Sequence, residues 1–359
     1  MGKKLLNILK YALLLSISGA LMVYALRGQD LSRIGQYMRE ADYFWLGLTM
    51  ILSAMGYFSR SYRWKMQLDA AGQRASFWDV YHANMVGNLA NMVLPRMGEV
   101  IRCSVLRRNG GVPVQVGLGS VITERVIDVV VLFCLLGATL LLDFHKFWAF
   151  VVDKLLGGGA SVDAMARNRT PLLIAAAMAA VLLLSLAWAL VRNLERLRQN
   201  ALFNRVFNFA CGLLAGVFSI RHLENKWLFV FHTVFTWAVY FLMDYLAFFA
   251  FPETSNLGWS AGLAALTFGA FGMAAPVSGG IGTFHLLMQS ILIVFGVSPE
   301  AGIAFALVVH GAQTLLVVLM GGISFVLSML KTGKGLRGLA AEPLLDEAEP
   351  VNTAVADVD

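Results

Sequence analysis

Between Glu300 and Lys331 the chain runs for thirty residues without an Asp, Glu, Lys or Arg. About 20 apolar residues cross a bilayer as a helix, so this run (core 303–330) reads as a membrane span. Similar runs occur near 11–26, 43–59, 116–142, 171–191, 227–251 and 259–275, with shorter ones at 77–94 and 284–296. Hydrophobic residues make up 58% of the sequence and charged residues 14%, where soluble domains carry about 25% charged. Mean hydropathy is +0.70. The expected fold is an all-α polytopic integral membrane protein with about 6–8 membrane helices. No stretch has the length and polarity of a soluble catalytic domain.

The first 26 residues resemble a signal peptide but lack a small-x-small cleavage site and lead into further spans, so they read as a retained helix. Leu6 argues against N-myristoylation. Cys103, Cys134 and Cys211 are odd in number and have no metal-like spacing. A polar connector extends to about 170, residues 193–225 are mixed, and the patch 206–220 reads as interfacial or re-entrant. The domain reading is one membrane domain, 1–330, with halves of about 1–192 and 206–330. A tail, 331–359, begins basic and turns acidic, as disordered cytoplasmic ends do.

Net charge is +6, and its distribution indicates topology. Lys3, Lys4 and Lys10, then Arg60, Arg63, Lys65 and Arg74, then Arg96, Arg102, Arg107 and Arg108 form three basic groups. If all face the cytoplasm, the run 77–94 enters and leaves on one side. The connectors "FPETSNLGWS" and "GVSPEAG" have no Lys or Arg, so the apolar material between them dips in from outside. Arg27, Arg33 and Arg39 in 27–42 run against this scheme. Each dipping segment breaks at a proline followed three residues later by glycine, Pro95–Gly98 and Pro276–Gly279, with Gly280 and Gly282 beyond the second. Proline removes a backbone donor and glycine admits left-handed dihedrals, so neither helix continues through its break. Two such segments in corresponding halves suggest opposed re-entrant hairpins in an inverted repeat. The helix restarting after "PVSGGIGT" would aim N–H groups into a cavity, an arrangement suited to phosphate. The alternative is two unrelated interhelical turns.

Glu124 and Asp128 share one helix face, with Arg125 beside them. A helix over 116–142 would place all three in hydrocarbon, where each costs roughly 2.5–3.5 kcal/mol at mid-helix unless paired. Arg96 and Arg102 are the nearest partners in sequence. A shorter span, 126–142, would leave Glu124 and Arg125 at the interface. Asp244 lies amid aromatics and is a candidate for proton coupling, while His285 and His310 occupy apolar runs. Arg60, Arg63 and Lys65 read as topology anchors, with Tyr62 and Trp64 at headgroup level.

"NMVLPRMGEVIRCSVLRRNGG", "VITERVIDVVVL" and "PVSGGIGTFH" resemble, in order and spacing, the lysylphosphatidylglycerol synthase transmembrane-region family, and "YRWKMQL" fits its early Arg-Trp signature. The resemblance covers the chain to about 330. It implies a flippase-like membrane domain translocating lipid across the bacterial inner membrane; the Lys and Arg count places both termini in the cytoplasm. Arg96, Glu99, Arg102, Glu124, Arg125 and Asp128 match the family's charged positions. His285 stands where the family commonly has Glu, and His310 where it commonly has Arg. Nothing here matches the aminoacyl-transferring soluble domain of two-domain members.

These readings favour a translocator of a phosphate-bearing lipid, phospholipid or polyprenyl phosphate. The headgroup would sit among Arg96, Glu99, Arg102, Glu124, Arg125, Asp128, His285 and His310, since guanidinium binds phosphate bidentately. A non-catalytic partner of a lipid or glycan biosynthetic enzyme is the alternative. A membrane lipid transferase with Glu99 or Asp128 as base is a third reading. No nucleophile–base pair, metal-spaced ligand set or phosphate loop stands out, so no cofactor, metal or nucleic-acid partner is expected.

Overall fold

The computed structural model describes residues 2–94, 96–147, 192 and 223–332. Pro95, the connector from 148, the run 171–191, the patch 206–220, Cys211 and the tail from 333 lie outside the described residues. Among the described residues the fold is entirely helical, as expected. Three helices are long and apolar enough to cross a membrane: Val114–Leu142, Lys226–Ala250 and Pro299–Lys331.

The helices are α1 (Gly2–Leu26), α2 (Leu31–Glu40), α3 (Tyr43–Ala70), α4 (Phe77–Val93), α5 (Gly98–Gly110), α6 (Val114–Leu142), α7 (Lys226–Ala247), α8 (Trp259–Ala274), α9 (Thr283–Val294) and α10 (Pro299–Thr332). Local signals account for many of the ends. Asp30 accepts the Ser32 and Arg33 N–H groups to cap α2, and Asp42 accepts Phe44 N–H to cap α3. Ser76 accepts Asp79 N–H while its hydroxyl donates to the Asp79 carboxylate. Gly111, at φ 71°, ends α5 with its N–H on the Arg107 carbonyl.

Two expectations change. Residues 27–42 are not simply a loop. They hold α2, which buries Ile34 and exposes Arg33, Arg39 and Glu40, while Arg27 is exposed just before it. The second apolar run does not stop at 59 but continues as α3 to Ala70, because Arg60 and Arg63 find acidic partners inside the fold.

Helix α10 acts as a spine of 34 residues, about 50 Å at 1.5 Å each. Along its first third Gln289 of α9 donates to the Pro299 carbonyl, and the His285 ring lies tilted against His310. Further along, a Cβ on Gly321 would lie 2.8 Å from Leu89 of α4, and His82 bonds Ser324 at 3.0 Å. Lys331 then reaches Asp79 at the start of α4, 2.5 Å away. The hairpin α8–α9 therefore flanks one half of the spine and α4–α5 the other, and they approach from opposite ends.

Their tips meet. The Arg96 guanidinium donates to the Ala274 carbonyl, and Gly279 comes against Met92. Helices α3 and α7 run antiparallel, from Asp42 N–H on the Ala250 carbonyl to Ser59 on His232. The order long helix, hairpin, long helix thus occurs twice, as α3, α4–α5, α6 and as α7, α8–α9, α10, each member opposed in direction to its counterpart. One end of the bundle carries Lys65, Arg74, Arg107, Arg108 and Lys331 and is the basic end; the other carries α2 and the connectors at 251–258 and 295–298.

At that far end Glu253 accepts the Tyr37 hydroxyl and, at 2.7 Å, the Ser298 hydroxyl, tying α2 to both connectors. Partial burial pushes the Glu253 carboxyl up, but hydrogen bonds from Tyr37 and Ser298 outweigh this and hold it below its ordinary value. A carboxyl depressed on folding stabilises the latch above its free value, near pH 4.3, and the contribution is lost as pH falls further. Amide exchange over 31–40, corrected for intrinsic rates, is expected to rise on acidification through this range. Glu253→Gln should exchange faster at neutral pH and lack that rise.

Candidate functional site

Within each hairpin a glycine of the first limb sits against the start of the second. A Cβ on Gly87 would lie 2.8 Å from the Gly98 carbonyl and from Arg102 Cβ, and one on Gly272 2.6 Å from Phe284 Cα. Asn91 Oδ1 accepts Gly98 N–H at 2.7 Å, and Thr283 donates to the Gly272 carbonyl at 2.7 Å. These contacts fix the register of α5 on α4, and with it the position of Arg102.

The stretch read as basic loop after 95 is thus a tip followed by the return helix α5. Arg96 occupies the tip with φ 66°, a left-handed conformation that costs a non-glycine residue roughly 1 kcal/mol. Its guanidinium turns across to Ala274 and does not pair with Glu124 or Asp128, contrary to one of the two partnerships expected. Arg102 does pair: it donates to Glu124 Oε2 at 2.9 Å and to Asn84 Oδ1 at 3.2 Å.

Glu124 is fully buried within the protein. Its Oε1 takes Arg60 Nε at 2.7 Å and Arg63 Nη2 at 3.3 Å. Asp128, one turn on, takes Arg63 at 2.7 Å and lies 3.7 Å from Arg60. Arg125 points the other way to Glu99, 2.8 Å away, in a pair open to solvent. The two pairings differ in weight. An exposed pair contributes about 0–1 kcal/mol. Each buried ion costs several kcal/mol in lost hydration, and only multiple short contacts offset it. Glu124 has three.

Arg60 and Arg63 are therefore not simple topology anchors. They stand three apart on one face of α3 and supply two of the three guanidiniums around Glu124. Trp64 is also buried rather than at headgroup level. Its ring lies 4.6 Å under the Arg102 guanidinium, and its N–H donates to Ser120 at 2.8 Å. Asn84 links Arg102 to Ser61. The available signal was Arg60–Arg63 spaced as on a helix, five helical turns past Asp42.

Three arginines thus face two carboxylates, Glu124 and Asp128, leaving one positive charge in excess. Arg63 Nε and Nη1 and Arg102 Nε are buried without a protein acceptor. Glu99 Oε2 and the Asn88 amide nitrogen are likewise buried and unpartnered. Among the described residues no group of three or more His, Cys, Asp or Glu is placed to hold a metal.

A family model described as the lysylphosphatidylglycerol synthase TM region matches residues 8–321. The chain belongs to the lysylphosphatidylglycerol synthase transmembrane-region family. No curated protein and no solved structure matches it significantly. The match to this family spans both hairpins and every charged residue of the cluster.

The remaining candidates fall elsewhere in this family member. His285 and His310 lie together, ring centroids 4.9 Å apart, beyond the touching tips and not in the arginine cluster. Asp244 is buried on α7, eight residues from Thr236, whose hydroxyl meets Ser59 beside Arg60. That is about 12 Å along the helix. The expected anion site at the start of α9 is closed. A Cβ on Gly282 would lie 2.6 Å from Leu21 of α1, Ser18 accepts Ser278 N–H, and Gly282 N–H points at His285. Gly279, Gly280 and Gly282, at φ 56°, 76° and 86°, make the break, as their sequence suggested, but α1 plugs it. Pro276 follows the α8 cap at Ala275.

Proposed function

We propose that this membrane protein translocates a phosphate-bearing lipid, a phospholipid or a polyprenyl phosphate, across the bacterial cytoplasmic membrane. The observation that carries the reading is the uncompensated guanidinium cluster of Arg60, Arg63 and Arg102 around Glu124, with buried N–H groups that lack an acceptor. A phosphate monoanion would neutralise the excess charge and offer acceptors to those donors. Family membership supports lipid handling in general, and the cluster adds the preference for an anionic group.

In this reading both hairpins are re-entrant. Limbs of 12 to 17 residues, about 18–26 Å, fall short of the roughly 30 Å hydrocarbon core, and their joined tips lie midway. The basic end faces the cytoplasm, with both termini, following the excess of Lys and Arg there. The cluster then lies on the order of 12–15 Å inside that face, counted from Gly110 to Arg102 and from Val114 to Glu124. Glu99 and Arg125 form its accessible rim. Both cluster carboxylates are already engaged by guanidiniums, which suits a carrier more than an acid–base enzyme.

The test is movement of labelled anionic and zwitterionic phospholipids and a polyprenyl phosphate in liposomes containing the purified protein. Wild type should move at least one phosphate-bearing lipid. Arg63→Gln should abolish movement, and Glu99→Gln and Arg125→Gln should slow it. Folded protein that moves none of these lipids would overturn the reading in favour of a non-catalytic partner of a lipid or glycan biosynthetic enzyme.

A further inference from the structure

The break between α8 and α9 contains a feature that the lipid reading leaves unused. Two buried imidazoles hold it, one from each flanking helix. His285 of α9 turns back so that Gly282 N–H points at its Nδ1, 3.4 Å away. His310 of α10 approaches the Gly279 backbone from the other side. The rings face each other at 4.9 Å and 54°, and Phe284 packs 5.0 Å from His310. Both histidines are at least 95% buried. The turn they hold is the one whose Gly279 touches Met92, and whose neighbour Ala274 receives Arg96.

We propose that His285 and His310 form a proton-operated clasp on the second hairpin. A neutral His285 keeps the Gly279–Gly282 turn folded and the two tips in contact; a proton on His285 releases the turn and parts the tips.

The atom-level reason is competition for one lone pair. As an acceptor of Gly282 N–H, His285 Nδ1 is unprotonated and the ring's hydrogen is on Nε2. An added proton goes to Nδ1 and converts acceptor to donor, so the bond to Gly282 is lost. The resulting cation would sit against a second imidazole that cannot also charge without repulsion. Among the described residues no carboxylate reaches the pair. Around the break α1 presents Ser18, Leu21 and Met22, α8 presents Met273, and α4 presents Met92. The charged group that reaches the break is another cation, Arg96. Arg33, Arg39 and Glu40 of α2, which also packs on α10, are exposed at the far end. On α3 the nearest charges, Arg60 and Arg63, are bound to Glu124 and Asp128. A protonated clasp therefore has only movement as a way to regain hydration.

The clasp is tested on conformation alone, so its failure is separate from failure of lipid transport. Spin labels at Val93→Cys and Ala274→Cys, in full-length protein with its native cysteines replaced, report the distance between the tips in nanodiscs. Wild type should give one short distance at about pH 8 and gain a longer one as pH falls towards about 5, the range in which imidazole charges. For one proton the open-to-closed ratio changes by up to about tenfold per pH unit. His285→Asn keeps an acceptor near Nδ1 without titrating and should stay closed throughout. His285→Lys should be open even at the higher pH. His310→Asn tests the second ring independently and should shift the transition. A wild-type distance that ignores pH, or a His285→Asn His310→Asn protein that opens like wild type, would overturn the clasp.

Discussion

Glu124→Ala is expected to destabilise the protein by about 3–5 kcal/mol and to remove lipid movement at any temperature. Truncating one member of a buried ion set leaves its partners charged and dry, and the loss is of that order. Here Arg60, Arg63 and Arg102 would be left with Asp128 alone, which already serves Arg63 at 2.7 Å. Helices α3, α5 and α6 meet at this carboxylate, so the damage should appear as early loss of monodisperse protein on heating in detergent. A second variant separates stability from transport. Arg63→Met, Arg102→Met and Glu124→Leu together leave the Arg60–Asp128 pair and replace the other charges by apolar volume, an exchange that is often neutral or stabilising. This triple variant should recover much of the thermal stability and still move no phosphate-bearing lipid. A triple variant that transports normally would reduce the cluster to a structural role.

The second large effect is expected at Gly87. A methyl group there would be 2.8 Å from Arg102 Cβ and from the Gly98 carbonyl, both parts of α5 close to the backbone and unable to swing aside. Gly87→Ala must therefore separate α4 from α5, at a cost of about 1–3 kcal/mol or more. It also draws Arg102 away from Glu124, so transport should fall with stability. Gly119→Ala on α6 is the matched control. A methyl group there meets nothing within 4 Å, and alanine is the better helix former by up to about 1 kcal/mol. Thermal unfolding of the two variants side by side decides the point: equal stabilities would contradict the close packing of this hairpin.

Much of the architecture was legible because it follows from solvation. Long apolar runs have one stable solution in lipid, so α6, α7 and α10 appear nearly where hydropathy puts them. The breaks were legible for a backbone reason: glycines at 279, 280 and 282 adopt φ values that other residues avoid. Glu124 and Asp128 were recognisable as a site because their four-residue spacing puts two carboxylates on one apolar face. The wrong readings have a common cause. A linear charge count makes Arg60, Arg63 and Trp64 boundary residues, because it assumes that arginine near the end of an apolar run marks water. In the fold their acidic partners come from a helix some sixty residues away.

The sequence by itself determined that this chain is an all-helical membrane protein, interrupted in each half by a proline–glycine break, with acids and arginines inside apolar helices. Composition and local dihedral preference suffice for that, since each acts within one segment. Only the tertiary structure decided which charges pair. Burial energy depends on distances between segments, and so it selected Arg60 and Arg63 over Arg96 as partners of Glu124 and Asp128. The same cross-chain geometry placed the two tips together, closed the α9 terminus with α1, and brought His285 to His310. None of these contacts lies within reach of a local pattern.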